Sequence, residues 1–450
     1  MAQVARARSV AVIGAGPSGL VACKTLAAHG VGCTVYEAGD RVGGQWVLQN
    51  ASGTSAAYRS LATNTHKGMC RYADYPLPDD YPDFPSHAQM AEWFDAYARH
   101  FDLYPRIRLG ARVVAAMREE GGSRGFLIEL AGGERVRHDA LVVASGNLWQ
   151  PRWPRLEGAF DGVTLHAKDY LDPREPVDCR GRSVLVIGLG NTACELAVEL
   201  AGEGGADRVL LSARSGQTFL PKMAAPIPHP SDPLTGPLAW LPRSLREAAF
   251  RALFPRLVAR LLSGRPTPES LGLPPPPSSP FEKRVVINDH LFDRIAEGRV
   301  MPRPGVGALE GRKVLFEDGT REEVDVLLAA TGYHFTLPFL SRDLLGAEPE
   351  DLPLFRGVMH PRHHDLFVIG VMNAICSIWP RSEQQMAFVA PLLAGDYALP
   401  SQREIERESY AVLQRPFGNC QFHTHELRRE LARGRRRARR LLRQGTSAIP

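Results

Sequence analysis

Cysteine is scarce in this chain of 450 residues: its seven cysteines are scattered and include no Cys-x-x-Cys pair. An odd number of isolated cysteines argues against a disulfide framework, a zinc site and a dithiol redox centre. The same usage favours the reducing cytoplasm, which is the location we expect.

Long apolar runs are absent too, since no stretch approaches the roughly 20 residues that a membrane-spanning helix needs. An apolar strand begins after only nine residues, which leaves no room for a signal peptide. We therefore expect neither a leader nor an integral membrane segment.

Negative charge is rare near the C-terminus, where residues 426–443 hold nine arginines and two glutamates. This excess is larger than the formal net charge of +5 of the whole chain, so the rest is close to neutral. A basic tail could contact nucleic acid or anionic lipid, but a terminal helix with a solvated arginine face is the simpler interpretation. We expect no nucleic-acid partner.

The chain does contain a glycine-rich turn near its start. Gly14-Ala15-Gly16-Pro17-Ser18-Gly19 follows the apolar run 10–13, and a helix (17 to about 29) and a strand (33–36) follow it. The glycines permit a tight bend, approach of backbone to a pyrophosphate and close packing of helix on strand, while the helix N-terminus offers free N–H groups. A carboxylate after the second strand can bind a ribose diol. The predicted cofactor contacts are Gly14, Gly16, Pro17, Ser18, Gly19 and Glu37.

A second turn, Gly188-Leu189-Gly190-Asn191-Thr192-Ala193, follows the apolar run 184–187. The strand 208–212 after it ends in Ala213-Arg214-Ser215, without an acid at the ribose position. Arg214 can pair with a 2′-phosphate and Ser215 can donate to it, which selects NADPH over NADH, although a surface arginine in a turn is the alternative. The predicted contacts are Gly188, Gly190, Asn191, Thr192, Ala193, Arg214 and Ser215.

Two dinucleotide sites in one chain predict two redox cofactors that exchange electrons, as in a flavoenzyme. The length and the repeated strand–turn–helix order predict an α/β fold with two Rossmann-type, doubly wound domains. Segments 139–146 and 325–332 share an Asp, an apolar strand, and then Ala, Ser or Thr, and Gly. We interpret them as the exit from and the return to one domain, which gives a first domain of 1–165 and 311–450 and an inserted domain of 166–310.

Residues 221–280 hold fifteen of the 36 prolines, which predicts an insertion over about 216–282. Within it, residues 243–262 have helical apolar spacing with arginines between. Such a helix could lie on a membrane surface, but packing on its own domain is favoured because Pro255 would break a long interfacial helix.

The sequence between the two turns resembles the flavin-containing monooxygenases, and the resemblance extends over about residues 8–395. Residues 160–170 match that family's F-x-G-x-x-x-H-x-x-x-Y fingerprint at Phe160, Gly162, His166 and Tyr170. Ketone-oxygenating (Baeyer–Villiger) relatives usually have Trp at the last of these positions. Further matching stretches are Gly43-Gly44-Gln45-Trp46, residues 63–69 and 72–76, and Ala330-Thr331-Gly332-Tyr333.

The resemblance implies an NADPH- and oxygen-dependent FAD monooxygenase in which a C4a-hydroperoxyflavin oxidises a soft nucleophile, nitrogen or sulfur, of a small molecule. It implies that the FAD domain receives the NADP domain as an insertion. Asn64 matches the active-site asparagine, and its amide can both donate and accept hydrogen bonds without being an acid. A turn asparagine that satisfies local backbone is the alternative. The contacts carried over are Gly44, Gln45, Trp46, Thr63, Asn64, Thr65, Thr331 and Gly332.

Histidines invite other assignments. We interpret His166 as a link between two segments rather than as a general base. His360, His363 and His364 with Asp365 are interpreted as a polar loop, so no metal site is predicted. His66 departs from the family stretch, which leaves the local pocket undefined.

Three alternatives stay open: Baeyer–Villiger oxidation of a ketone, an NADPH oxidase, and a non-catalytic flavoprotein that binds partners. The substrate is not readable, because fold and cofactor sites do not specify its pocket. Either a monomer or a homodimer is compatible with the sequence.

Overall fold

A computed structural model of the chain describes residues 7–118, 125–222, 263–278, 283, 285–372, 377–414 and 420–443, with a few single positions between 245 and 260. The chain forms two compact units. The first contains Met1–Ser55, Lys67–Gln150 and His334–Pro450, and the second contains Ala56–His66 and Pro151–Tyr333. The second unit therefore interrupts the first, as an inserted domain must.

The α-helices in the described residues are α1 Pro17–Ala28, α2 His87–His100, α3 Asn191–Leu200, α4 Leu291–Ala296, α5 Arg342–Leu345, α6 Trp379–Leu393, α7 Gln402–Arg407 and α8 Cys420–Arg443. The strands of the first unit's parallel sheet come from all three segments of that unit, whereas its three-stranded antiparallel sheet comes from Lys67–Gln150 alone. In chain order the strands are β1 Ser9–Ile13, β2 Gly32–Tyr36, β3 Ile107–Arg108, β4 Val113–Arg118, β5 Phe126–Leu130, β6 Arg135–His138, β7 Ala140–Val143, β8 Gln150–Pro151, β9 Glu157–Phe160, β10 Val163–His166, β11 Ser183–Ile187, β12 Arg208–Ser212, β13 Phe219–Leu220, β14 Val286–Ile287, β15 Val300–Arg303, β16 Val306–Gly311, β17 Lys313–Phe316, β18 Arg321–Glu323, β19 Val326–Ala329, β20 Tyr333–His334, β21 Pro353–Phe355, β22 Leu366–Val368 and β23 Ser409–Ala411.

The first unit is built on a parallel sheet with the strand order β22, β7, β1, β2, β3. Its central strands are almost wholly apolar and buried, as expected where helices cover both faces of a parallel sheet. Helix α1 follows β1 directly and packs against α6. Glycine-rich turn, helix and second strand therefore form the predicted opening of a Rossmann-type sheet.

The second unit has its own parallel sheet, in the order β10, β19, β11, β12, β15. Helix α3 begins at the second glycine-rich turn and packs against β11 and β12. Strands β9 and β16–β18 form a separate four-stranded sheet of the same unit. Two Rossmann-type sheets in one α/β chain confirm the predicted fold class.

One part of the predicted domain division is corrected. Segment 325–332 does not return to the first domain, because β19 pairs with β10 and β11 inside the second unit. Segments 139–146 and 325–332 look alike because each supplies a strand next to the one that leads into a glycine-rich turn, β7 beside β1 and β19 beside β11. The chain returns to the first unit at His334, and residues 151–165, which were predicted to lie in the first domain, also belong to the second unit.

The basic tail forms helix α8, which is held by one fully buried acid. Glu430 is 0% exposed and accepts a hydrogen bond from the Tyr397 hydroxyl at 2.8 Å. The guanidinium of Arg356 lies 3.0 Å from the same carboxylate, and Arg437 also pairs with it. Eight arginines of this helix face solvent, as the simpler interpretation expected: 428, 429, 433, 435, 436, 439, 440 and 443.

Most of the predicted helix over 243–262 lies outside the described residues. Within the described part of the chain, no helix combines the length and the apolar character that crossing a bilayer requires.

Candidate functional site

The first glycine-rich turn is shaped by two contacts that only glycine permits. Gly14 has a φ of +100°, and a Cβ there would lie 2.7 Å from the Ala144 carbonyl oxygen at the end of β7. A Cβ on Gly19 would lie 1.8 Å from the Gly14 carbonyl oxygen, so α1 can pack this close only with glycine. The turn therefore brings the N-terminus of α1, with its free N–H groups, to the carboxyl edge of the sheet.

The Gly-Gly-Gln-Trp segment lies directly against this turn. Gly43 donates its N–H to the Ala15 carbonyl at 3.0 Å, and a Cβ on Gly44 would lie 2.9 Å from the Cα of Gly16. Gly44 also has a φ of +56°, in the left-handed region that favours glycine. Residues Gly44–Trp46 form a single 3₁₀ turn, and the Trp46 ring packs edge-on against Trp379 with centroids 5.5 Å apart. The two predicted segments thus form one cradle of backbone.

Glu37 follows β2 and is only 6% exposed. Its carboxylate accepts the N–H of Ala15 at 2.6 Å, from inside the glycine-rich turn, and that of Gly39 at 2.8 Å. The acid therefore fixes the glycine-rich turn.

Three polar side chains near the carboxyl edge of the first sheet, Ser145, Ser382 and Gln385, were not predicted from the sequence. The Ser18 hydroxyl lies 2.7 Å from that of Ser382 on α6, and Gln385 accepts the Gly370 N–H at 2.9 Å. Ser145 Oγ and Gln385 Nε2 are buried without a hydrogen-bond partner. Buried polar atoms usually have partners, so these atoms fit a polar ligand such as a flavin dinucleotide. Ser18 and Ser382 are separated by 364 residues, so no local pattern could indicate the pair.

The second turn repeats the first with more room. A Cβ on Gly188, which has a φ of +130°, would lie 2.5 Å from the Ala330 carbonyl oxygen, just before Thr331 and Gly332. A Cβ on Gly190 would meet nothing within 4 Å, so space for a pyrophosphate is open there. Ala193 is fully buried and takes the third glycine's position, and Thr192 stands beside it in the first turn of α3. The tight turn at Gly188 and the space at Gly190 together fit a second dinucleotide.

The side chain of Asn191 bonds to backbone groups of the protein, a contact that the sequence did not indicate. Its side-chain oxygen accepts the Ile287 N–H at 2.7 Å, and its amide nitrogen is 3.5 Å from the Val285 carbonyl. Its side chain thus holds β14 beside the second turn.

A lysine just before β14 contacts the residues that are predicted to bind the 2′-phosphate. Lys283, two residues before Val285, donates to the Ser215 hydroxyl at 2.6 Å and to the Gly216 carbonyl at 3.2 Å. Arg214 and Ser215 are exposed, and the stem of Arg214 runs over Gly305, where a Cβ would lie 2.5 Å from the arginine Cγ. Two cations and a hydroxyl therefore border one surface after β12. Lys283 was missed because it lies 68 residues from Ser215, beyond the proline-rich stretch.

The segment with Thr63, Asn64 and Thr65 belongs to the second unit, with Ala56–His66. Thr63 is 3% exposed, yet its hydroxyl has no hydrogen-bond partner, whereas Asn64 is half-buried. An unsatisfied buried hydroxyl beside a partly exposed amide fits a segment that contacts a ligand.

His166 is a buried structural residue in this arrangement. Its Nδ1 accepts the Lys168 N–H at 3.1 Å, and its ring packs edge-on between Trp153 and Tyr333, at 5.3 and 5.4 Å between centroids. Burial lowers the pKa of the imidazole, so the neutral form is favoured. His360 likewise accepts the N–H groups of Arg362 and His363 through Nδ1 at 3.2 and 3.0 Å.

Two cysteines of the first unit are closer than their scatter in the sequence indicates. The sulfur atoms of Cys23 on α1 and Cys33 on β2 are 3.7 Å apart in the core. Both are free thiols, at 0% and 8% exposure.

Comparison with known proteins identifies the family. A family model described as flavin-binding monooxygenase-like matches residues 7–426. The chain is 32% identical over 416 residues to dimethylaniline monooxygenase (N-oxide-forming) 2 of Rattus norvegicus, which covers 88% of this chain and 75% of the relative. These matches confirm the resemblance that the motifs indicated.

Solved structures show the same fold. S-allyl-L-cysteine S-oxygenase from Allium sativum superposes with a TM-score of 0.68 at 21% identity, over 94% of this chain and 88% of that one. Cyclohexanone monooxygenase from Rhodococcus sp. Phi1 bound to NADP⁺ gives 0.68 at 17% identity, over 96% and 98%. With two nucleotide turns, the fingerprint and a match over nearly the whole length, this chain belongs to the flavin-containing monooxygenase family and is a flavin-dependent monooxygenase.

Proposed function

We propose that the protein transfers one oxygen atom from dioxygen to a nitrogen or sulfur atom of a small molecule, with FAD in the first unit and NADPH in the second. Substrate, O₂, NADPH and a proton would give the oxidised substrate, NADP⁺ and water. When bound, the flavin would supply the electron transfer and the oxygen activation. The N-oxide-forming name of the rat relative supports nitrogen as one target.

FAD is proposed, rather than a mononucleotide, because the first unit offers a complete dinucleotide cradle. The turn around Gly14 and Gly16 and the segment at Gly44 would hold the pyrophosphate, and Glu37 would accept the ribose hydroxyls. Ser145 and Gln385 have unpaired buried atoms for further polar groups.

NADPH is proposed over NADH because of the cations after β12. A 2′-phosphate carries negative charge, which the guanidinium of Arg214 and the ammonium of Lys283 would neutralise while Ser215 donates. The stretch Ala213-Arg214-Ser215 after β12 does not offer the acid that would accept a free 2′-hydroxyl. This cluster is the single observation that carries the cofactor preference.

Asn64 is proposed as the residue that orients the nicotinamide ribose or the reacting oxygen. Its amide offers donors and an acceptor and does not release a proton at neutral pH. It can therefore hydrogen-bond to a reactive oxygen without protonating it. Its neighbour Thr63, with an unpaired buried hydroxyl, supports a ligand at this segment.

Product analysis tests the proposal. Purified enzyme would be screened with tertiary amines, thioethers and ketones for stimulated NADPH consumption, and products would be identified by mass spectrometry. We expect N-oxides or sulfoxides. Esters or lactones from ketones alone would establish the Baeyer–Villiger reaction instead, and NADPH consumption that yields only hydrogen peroxide would establish an NADPH oxidase.

A cytoplasmic location is also proposed, because Cys23, Cys33, Cys70, Cys179 and Cys194 are all free thiols. Cell fractionation with a membrane-protein marker would test it. Recovery in an oxidising compartment or with the membrane fraction would contradict it.

A further inference from the structure

The segment that carries Asn64 is attached in an unexpected place. Residues Ala56–His66 belong to the second unit, while the stretches before and after them belong to the first. The segment lies outside the sheet ladders of the second unit, and side chains contribute to its attachment.

Tyr58 is the buried anchor of this attachment. It is 3% exposed, and its ring packs edge-on against Tyr170, the last residue of the fingerprint, with centroids 6.3 Å apart. Its hydroxyl donates a hydrogen bond to the carboxylate of Glu195 on α3. The ammonium of Lys222 lies 3.9 Å from the other oxygen of that carboxylate. Burial is the largest cause that raises the pKa of Tyr58, so the phenol keeps the proton that it donates.

Arg59 and Ser60 complete the attachment on the loop that follows the fingerprint. The Arg59 N–H donates to the Leu171 carbonyl at 2.9 Å, and its guanidinium lies 3.2 Å from Asp172 and 2.6 Å from Glu175. Ser60 hydrogen-bonds Glu199 on α3, which also accepts the Tyr170 hydroxyl at 3.1 Å. The three consecutive residues Tyr58, Arg59 and Ser60 therefore attach the segment to α3 and to the loop 170–175.

We propose that Tyr58, Arg59 and Glu195 are positioning residues that hold Asn64 on the NADP(H)-binding unit. This inference rests on the role proposed for Asn64. Asn64 lies six positions after Tyr58, and an extended chain of that length spans roughly 20 Å at about 3.3–3.6 Å per residue. Loss of the anchor would thus free the amide over distances far larger than the ~1 Å misplacement that already impairs catalysis. Removing the anchor should therefore lower the amount of product formed per NADPH consumed, which is also the effect we expect from removing the Asn64 amide.

The test compares Tyr58→Phe, Arg59→Ala, Glu195→Ala and Glu195→Gln with wild type as holoenzymes. Hydrogen–deuterium exchange of peptides covering 56–66 reports attachment, and product formed per NADPH consumed reports coupling. Arg180→Gln is the matched control, because Arg180 is an exposed arginine of the same unit that pairs with Asp178 away from the segment.

We expect Tyr58→Phe and Glu195→Ala to raise exchange in 56–66 about ten-fold or more, with coupling reduced and with flavin reduction by NADPH retained. Glu195→Gln, whose amide oxygen still accepts the phenol, should restore both values towards wild type, and Arg59→Ala should lie between. If Glu195→Ala fails to fold, Tyr58→Phe keeps the buried ring and decides alone. Unchanged exchange in Tyr58→Phe, or raised exchange with wild-type coupling, would overturn the inference.

Asn64→Ala, measured in parallel, separates this inference from the proposed function. Wild-type coupling in Asn64→Ala would overturn the role of Asn64 itself. Reduced coupling in Asn64→Ala with wild-type coupling in Tyr58→Phe would overturn the positioning role alone.

Discussion

At the scale of single residues, cofactor preference depends on side chains that a local motif only partly describes. Arg214 and Ser215 follow β12 directly, so the sequence could predict them from their place after the second turn. Lys283 reaches the same surface from the far side of the proline-rich stretch, held there through β14 and Asn191. Such long-range contacts leave no periodic signal in the sequence.

We predict that Arg214→Ala and Lys283→Ala each raise the KM for NADPH ten-fold or more and leave the KM for NADH nearly unchanged. The reason is that a charge-assisted contact to the 2′-phosphate is lost, and NADH has no such phosphate. Steady-state kinetics with both nucleotides measures this, with Arg180→Ala as the control arginine. An unchanged ratio of the two KM values in both variants would mean that other residues recognise the phosphate.

A second prediction at this scale concerns Asn64. Asn64→Ala should still bind the flavin and accept hydride from NADPH, because both glycine-rich turns are intact. Product yield per NADPH should fall several-fold, with hydrogen peroxide released in its place. A peroxide assay beside product quantification measures the split, and a wild-type ratio would mean that Asn64 is a turn residue only.

At the scale of elements, the strongest sequence signals gave the correct structure. The strand predicted over 208–212 is β12, and the helix predicted from Pro17 ends at Ala28. The error was to assign 325–332 to the first domain, since two equivalent sheets contain near-identical strands and the pattern cannot say which sheet each joins. Pairing partners depend on tertiary contacts that single-strand patterns do not contain.

Helix α8 illustrates an element whose stability should depend on pH. Burial alone would raise the pKa of Glu430, but hydrogen bonds from Arg437 and Tyr397 and the charges of Arg437 and Arg356 lower it overall. A lowered folded-state pKa means that this acid stabilises the fold above its unfolded pKa, near 4.3, and that the contribution is lost as pH falls below that value. The outward arginine face takes no part in this network, apart from Arg433 at 4.0 Å from the same carboxylate.

We therefore predict that Glu430→Ala destabilises the first unit by on the order of 3–5 kcal/mol at pH 7, because the buried cations lose their partner. Thermal unfolding from pH 7 to about pH 3 should show a difference between wild type and variant that is constant above about pH 5 and shrinks as the pH falls below the unfolded pKa of about 4.3. Glu426→Ala, on the same helix, serves as the control. A difference that stays constant with pH would contradict the role of the Glu430 carboxylate.

At the scale of the whole molecule, two Rossmann-type units and their two cradles predict how the purified protein should look. It should be yellow and release FAD, rather than FMN, on denaturation, because the bonds expected from Gly16, Gly44 and Glu37 are non-covalent and the cradle fits a dinucleotide. Chromatography of the released flavin identifies it. A colourless protein that fails to take up added FAD would contradict the assignment of the first unit.

Isotope labelling tests most directly whether one oxygen atom passes from dioxygen to the substrate. Enzyme, NADPH and a tertiary amine or thioether would be incubated under ¹⁸O₂ in unlabelled water, and the product would be analysed by mass spectrometry. We predict an N-oxide or S-oxide that contains one ¹⁸O atom, with product and NADPH consumption close to equal. Unlabelled product, or NADPH consumption that ends in hydrogen peroxide with every amine and thioether tried, would contradict it.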